Sequence, residues 1–300
     1  MKAITRITFL NEDGEKFFGE GPARLLRGVE AHGSLRAAAL SMEMAYTKAL
    51  KLMKQAEAAL GYPLITRITG GKDGGGSILT PEGKRWLSRY EAYRDACVKA
   101  NRELYRQFFP KTGCVIMASG LSTRFGSNKL VADFHGAPLI RRALDATEGL
   151  LDERVVVTRH REVEALCKGW NVAVVLHDLP HRSDTVRLGL EALGDLDACM
   201  FLPGDQPLLR RETVAKLLEK GKENPGRIIR PVHEENEGSP VLFPAWAFPE
   251  LKNLPEGKGG GVVIKKHPQE VLRLPVTDPM ELADADTPET LEMLKGLGHD

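Results

Sequence analysis

Apolar and polar positions change period twice along the chain, and each change predicts a different kind of structure. Residues 4–10 alternate like a strand, and Asn11-Glu12-Asp13-Gly14-Glu15 behind them carries the Asp-Gly signal of a hairpin. After Gly21-Pro22, the spacing of Leu25, Leu26 and Val29 predicts a helix over 23–32 that Gly33 ends. Ser34 is a cap residue for a second, alanine-rich helix over 35–40, Met42 to Met44 turn a tight corner, and a third helix runs over 45–60. The small Ala37, Ala38 and Ala39 let two of these helices cross closely. Strand-like 63–68 and 77–79 flank the loop Thr69-Gly70-Gly71-Lys72-Asp73-Gly74-Gly75-Gly76. A helical stripe over 81–109 then repeats Trp86, Leu87, Tyr90, Tyr93, Cys97, Leu104 and Phe108. Such a stripe is packing surface, and here it suits a dimer seam that leads into a second domain.

From Gly113 the period changes. Cys114-Val115-Ile116-Met117 and the runs 154–158, 172–176 and 198–202 are nearly continuous in apolar residues, with a helical stretch over 139–150 among them. That alternation predicts an α/β domain with a mostly parallel, Rossmann-like sheet covered on both faces. The boundary falls at Lys111-Thr112, giving domains 1–110 and 111–300. Two domains also suit 300 residues.

Charge separates the halves further. Residues 1–110 hold 18 Lys and Arg against 12 Asp and Glu, and the rest 24 against 29, so a net +1 conceals +6 in front and −5 behind. A basic helix-turn-helix pattern followed by a glycine-rich wing suits duplex DNA. Tyr46, Thr47, Lys48 and Lys51 at the start of the third helix, with Lys72 in the wing, are the candidate contacts. The plainer reading is a helical bundle with a loose hairpin. No apolar run approaches the roughly 18 residues of a membrane span. Met1-Lys2-Ala3 leads into no signal core, and Cys97, Cys114, Cys167 and Cys199 form no C-x-x-C pair. These features predict a cytoplasmic protein with buried thiols and no membrane partner.

Ligands of parallel sheets sit at the carboxyl ends of strands, so the loops after the apolar runs carry the candidate chemistry. Ala118-Ser119-Gly120-Leu121-Ser122-Thr123-Arg124-Phe125-Gly126-Ser127-Asn128-Lys129 matches neither a dinucleotide fingerprint nor a P-loop. Its small residues at 118–120 let backbone amides approach an anion, and Arg124 and Lys129 bring two cations. After 198–202, Pro203-Gly204-Asp205-Gln206-Pro207 puts a carboxylate at a strand tip. Facing such a loop, Asp205 suits a Mg²⁺ shared with nucleotide phosphates better than a helix cap. Asp286, in Asp284-Ala285-Asp286-Thr287-Pro288, reads equally as a second metal carboxylate or a cap for a helix over 289–295. His177, His181 and His233 lack ligand spacing and read as polar surface.

Two resemblances follow from these motifs. Residues 24–90, with Gly33-Ser34-Leu35, Tyr46-Thr47-Lys48, the glycine-rich loop and Leu79-Thr80-Pro81-Glu82-Gly83, resemble the winged helix of molybdate-responsive (ModE-type) regulators. The resemblance implies a homodimer that binds DNA through the third helix and the wing; the molybdate-binding domains of those regulators are not matched. Residues 113 to about 295 resemble the nucleotidyltransferases that act on the molybdenum cofactor (MocA/MobA type), through the 117–130 loop, Gly204-Asp205-Gln206-Pro207, Gly238-Ser239-Pro240-Val241-Leu242 and the 284–288 turn. That resemblance implies a nucleoside triphosphate and molybdopterin as substrates and Mg²⁺ as cofactor. Asp205 is then the metal ligand, Arg124 and Lys129 bind triphosphate, Gly120 permits close approach, and Gly238 and Pro240 line the substrate side. Ala118-Ser119-Gly120 in place of a double glycine, and Gly204 before Asp205, resemble the cytidylyl-transferring branch, hence CTP rather than GTP. Ser119 replaces that branch's common alanine and Ser239 its frequent histidine. Asp184 and Arg187 stand where the family has small residues near the nucleotide. A regulator that senses nucleotide or cofactor with a transferase-like fold is the competing expectation.

Overall fold

The computed structural model describes residues 3–68 and 76–297, so Lys72 and the rest of the 69–75 loop lie outside the described residues. The chain divides into two compact units, Met1–Phe108 and Phe109–Asp300.

In the first unit β1 (Thr8–Leu10) pairs antiparallel with β2 (Lys16–Gly19). The ladder is shorter than the alternation starting at residue 4, since β2 passes directly into α1 (Glu20–His32). That helix begins before Pro22 because proline in a first turn removes an amide the helix does not use. It ends at Gly33, whose φ of 68° is left-handed and whose amide donates to the Val29 carbonyl. The Ser34 hydroxyl accepts from the Ala37 amide at 3.0 Å and caps α2 (Leu35–Ser41). A Cβ on Gly28 would lie 2.6 Å from the Ala38 Cβ, so α1 and α2 cross at touching distance. Following the turn, α3 (Tyr46–Leu60) buries Ala49, Met53 and Ala56.

The antiparallel hairpin of β3 (Ile65–Ile68) and β4 (Gly76–Leu79) leads to α4 (Pro81–Phe108). Thr80 makes that junction: its hydroxyl donates to the Pro63 carbonyl at 2.7 Å and accepts from the Gly83 amide at 2.9 Å. The aromatic stripe on α4 has two fates. Trp86 and Tyr90 pack against Phe9 and Phe18, with ring centroids 5.1–5.6 Å apart for Phe18–Tyr90, Phe18–Trp86 and Phe9–Trp86. Beyond them Tyr93, Leu104 and Phe108 are exposed, by 53%, 52% and 74%.

The second unit runs through β5 (Thr112–Ala118), the small ribbon β6 (Asp133–Phe134) and β7 (Ala137–Pro138), α5 (Ile140–Thr147), β8 (Glu153–Thr158), α6 (Arg161–Gly169) and β9 (Val174–Leu176). There follow α7 (Arg182–Leu193), β10 (Ala198–Pro203), α8 (Arg211–Glu223), β11 (Ile228–His233), β12 (Asn236–Glu237) and β13 (Val241–Pro244). The unit closes with α9 (Phe248–Lys252), α10 (Gly261–Lys266), β14 (Val271–Pro275) and α11 (Pro288–Leu297). Among the described residues the sheet has eight strands in the order β12-β11-β13-β10-β5-β8-β9, with β14 on β11. β10, β5, β8 and β9 are parallel, while β13 runs antiparallel between β10 and β11.

Both faces are covered, which is why the strands carry so few polar residues. Ile116, Val156 and Met200 meet α5, α6 and α8; Val115, Val155 and Phe201 meet α7, α9 and α10. Burial on these faces pushes the Cys114 thiol up to about 12 and Cys167 up to about 11. Both are therefore unreactive. Cys97, expected to be buried, is partly exposed on α4. Among the described residues no helix is long and apolar enough to cross a membrane.

Candidate active site

Parallel pairing brings the carboxyl ends of β5, β8, β9 and β10 to one edge, and the Gly204 amide ties the β10 tip to the Met117 carbonyl at 3.0 Å. Asn128 caps the short helical turn Lys129–Val131, its side-chain oxygen accepting from the Leu130 amide at 3.2 Å. This turn directs Lys129 inward. Its side chain is 10% exposed and its Nζ lies 2.5 Å from Asp205 Oδ2 and 2.9 Å from Asp286 Oδ1. Arg124, mostly exposed, reaches the other Asp286 oxygen at 2.7 Å. Four residues from three separate segments thus form one network: a buried ammonium between two carboxylates, with a guanidinium on the solvent side.

The 284–288 turn is fastened to this centre. The Ala285 amide donates to the Asp205 carbonyl at 2.9 Å, and the Gln206 amide donates to Asp284 Oδ1 at 3.0 Å. Hydrogen bonding from Lys129 holds the Asp286 carboxyl below the usual carboxylate range. Desolvation and then the charge of Asp205 push Asp284 up. Burial works against the Lys129 charge, yet the facing Asp205 and Asp286 carboxylates outweigh it and raise its pKa. Asp286 does not cap the last helix: Thr287 does, its hydroxyl accepting from the Thr290 amide at 3.2 Å.

A cleft of about 660 Å³ opens over the network, lined among others by Ser119, Gly120, Arg124, Lys129, Asp205 and Asp286. Several expected positions need correction. Ala118 belongs to β5, with its methyl in the core and its carbonyl accepting from Thr158 at 2.8 Å, so its side chain does not line the cleft. In Gly238-Ser239-Pro240 the residue lining the cleft is Ser239. Gly238 packs on Leu282, where a Cβ would approach to 2.7 Å, and Pro240 is buried. Asp184 and Arg187 are helix furniture: Asp184 accepts from the His181 amide at 3.1 Å and pairs with Arg187.

His177 is not surface. Its Nε2 and the Ser119 hydroxyl lie 2.8 Å apart, and burial, followed by the nearby Arg159 charge, lowers its pKa. His233 is also tied inward, Nδ1 to the Val276 carbonyl at 2.9 Å. Sequence reasoning overlooked Arg159 and Thr185, which line the cleft and whose Nε and Oγ1 are buried without a hydrogen-bond partner among the described residues. For His177 and Arg159 a signal existed, since each directly follows an apolar run, as the two chosen loops do. In the first unit Tyr46, Thr47, Lys48 and Lys51 are all exposed on the opening turns of α3, and among the described residues no ion pair engages either lysine.

The family described as the MobA-like NTP transferase domain matches residues 114–271, more than half of the chain. The chain belongs to this family. The probable molybdenum cofactor guanylyltransferase of Aquifex aeolicus (strain VF5) is 31% identical over 111 residues, 37% of this chain and 54% of the relative. The 3-deoxy-manno-octulosonate cytidylyltransferase of Helicobacter pylori (strain G27) is 32% identical over 135 residues, 43% of this chain and 54% of the relative. The chain thus spans about half the length of each of these curated relatives. Rv0371c from Mycobacterium tuberculosis H37Rv shares the fold with a TM-score of 0.56 at 22% identity, covering 62% of this chain and 98% of that one. That protein has also been solved in complex with manganese, with a TM-score of 0.52 at 20% identity, covering 62% of this chain and 98% of that one. The MobA-like region encloses the Lys129–Asp205 pair, while Asp284 and Asp286 lie beyond its matched end.

Proposed function

We propose that the second unit is a divalent-metal-dependent nucleotidyltransferase that moves CMP from CTP to a molybdopterin-type cofactor and releases pyrophosphate. The observation that carries this reading is the buried Lys129 held between Asp205 and Asp286 at the floor of the cleft. An ammonium in this position is already charged, desolvated and fixed, so it meets a triphosphate without reorganising. Arg124 adds a second cation at the rim. The acceptor phosphate oxygen bonds to the α-phosphorus of CTP while the bond to the pyrophosphate oxygen breaks and pyrophosphate keeps the electron pair. No protein nucleophile is needed, and the chain's part is alignment and charge neutralisation.

Two carboxylates that converge on one ammonium fit a hard divalent cation such as Mg²⁺, which takes one or two carboxylates plus substrate oxygens. Asp205 and Asp286 would hold it. When bound, the ion supplies positive charge to the phosphate oxygens. The manganese complex of Rv0371c supports a divalent metal in this fold. The cytidylyltransferase relatives support CTP, and the guanylyltransferase relative keeps GTP as the second reading.

For the first unit we infer a ModE-like winged helix that binds duplex DNA as a homodimer. The exposed Lys48 and Lys51 at the start of α3 and the exposed stripe of α4 support it. A transferase-like sensor that regulates molybdenum genes is the competing role. The deciding experiment measures pyrophosphate release from each of the four ribonucleoside triphosphates with Mg²⁺ and molybdopterin-type cofactor. Release from CTP far above the others is expected; no release from any of the four leaves the sensor role.

A further inference from the structure

The loop after β5 is fastened at its start and at its end to one short segment, the passage from β8 into α6. Thr158 is fully buried there, and its hydroxyl donates to the Ala118 carbonyl at 2.8 Å. The Ser119 hydroxyl donates to the Val157 carbonyl at 3.0 Å. His160 Nε2 stands 2.8 Å from the Gly120 carbonyl. A carbonyl only accepts, so this ring nitrogen carries the proton. Two residues further on, Glu162 accepts from the Asn128 side-chain amide at 3.1 Å, and Asn128 caps the turn that directs Lys129 inward.

His160 is itself held in place. It is half-buried, and its backbone amide donates to the Thr158 hydroxyl at 3.1 Å. It directly precedes α6 with an extended backbone, yet its side chain caps nothing there. The ring serves the neighbouring loop instead. Gly120 and Leu121 line the cleft, whereas His160 stands outside it. In a trans peptide the carbonyl and the following amide point opposite ways, and the 120–121 bond is trans. The carbonyl that turns to His160 therefore turns the Leu121 N–H toward the cleft. Among the described residues that amide meets no acceptor. Packing does not fix the peptide either, since a Cβ on Gly120 would meet nothing within 4 Å.

We propose that His160 is a positioning residue: by holding the Gly120 carbonyl outside the cleft, it presents the Leu121 N–H as a donor to a phosphate oxygen of the bound nucleotide. A glycine peptide without this anchor is free to turn over and offer its carbonyl, a partial negative charge, to the same phosphate. The ring acts at one remove and stays out of contact with the ligand. This role rests on the reading of the cleft as a nucleoside triphosphate site.

The test is calorimetric titration of the full chain, as wild type, His160→Gln and His160→Met, with CTP and with inorganic tripolyphosphate, each in the presence of Mg²⁺. Glutamine and methionine are similar in length, but only glutamine has an N–H to give the Gly120 carbonyl. His160→Met is expected to bind both ligands about tenfold more weakly than the wild type, the size of one hydrogen bond to a charged group, and His160→Gln to stay within about threefold. Without ligand the two variants are expected to unfold at similar temperatures, which separates loss of the donor from loss of the fold. CTP binding that is equal in wild type and His160→Met overturns the positioning role alone. His160→Gln as weak as His160→Met also overturns it and makes His160 a packing residue. A wild type that binds tripolyphosphate but not CTP, with only His160→Met weakened, keeps the positioning role and overturns the nucleotide reading. A wild type that binds neither ligand overturns both.

Discussion

The two units deploy their cations in opposite ways. On α3, Lys48 and Lys51 stand in solvent, free to meet whatever charge arrives. In the second unit Lys129 is buried and fixed by Asp205 and Asp286 before any ligand arrives. The difference is the one the two proposed roles would require. A cation that pairs with DNA phosphate gains by releasing counterions and needs only to be accessible. One that stabilises charge developing on a leaving group must already be in place, which requires fixed partners in a low-dielectric site.

The largest effect expected from breaking this contrast is at Asp205. Asp205→Asn keeps the shape but removes a charge that faces Lys129 and would hold the proposed metal, and a loss of about 10³-fold or more in transfer is expected, by analogy with removal of a preorganised electrostatic group. Circular dichroism and thermal unfolding check that the fold survives. Lys129→Ala comes next, with a loss of about 10²- to 10³-fold in kcat. It also leaves Asp205 without its ammonium partner and Asp286 with Arg124 alone, so thermal unfolding at pH 7 is expected to occur at lower temperature. The pH dependence of that loss has a definite sign. In the wild type the lowered Asp286 pKa contributes stability above the ordinary value of 3.8, lost as pH falls through the lower folded value. The variant loses the Lys129 share of this contribution and keeps that of Arg124, so its disadvantage narrows in acid.

The sequence made the two motif loops legible and the residues that complete the site much less so. Arg124, Lys129 and Asp205 follow apolar runs in loops whose composition announces anions and metals. Nothing local announces that Asp286, some eighty residues after Asp205, joins the same network. Its Asp-x-Asp-Thr-Pro setting equally describes a cap, a task that Thr287 performs. Spacing along the chain does not reveal the role of His177, because its partner Ser119 stands in the loop after β5, 58 residues away. Element limits failed where tertiary pairing decides them: β1 is shortened by the start of α1, and α5 stops at Thr147, short of the expected 150, where Glu148 becomes extended and Gly149 adopts a φ of 65°. The antiparallel β13, inserted between β10 and β11, left no mark in a Val- and Leu-rich segment that reads alike in either direction.

Smaller effects sharpen the other side of the contrast. Lys48→Ala and Lys51→Ala should each weaken duplex binding by the full chain and flatten the slope of log affinity against log salt by about one unit, without changing pyrophosphate release. A salt titration by fluorescence anisotropy reads this directly; unchanged slopes would make α3 a packing helix. The smallest effect concerns His177. Its pKa is lowered from 6.5, so below that value the unfolded chain binds the proton more readily and stability falls as pH drops towards the folded value. His177→Asn should flatten the dependence of urea unfolding on pH in that window.

The most direct measurement of the central claim is the rate of CMP transfer from CTP to molybdopterin-type cofactor by the wild type and Asp205→Asn, side by side with saturating Mg²⁺. Transfer by the wild type and its near-complete loss in the folded variant is the predicted result; equal rates in the two proteins would contradict the account.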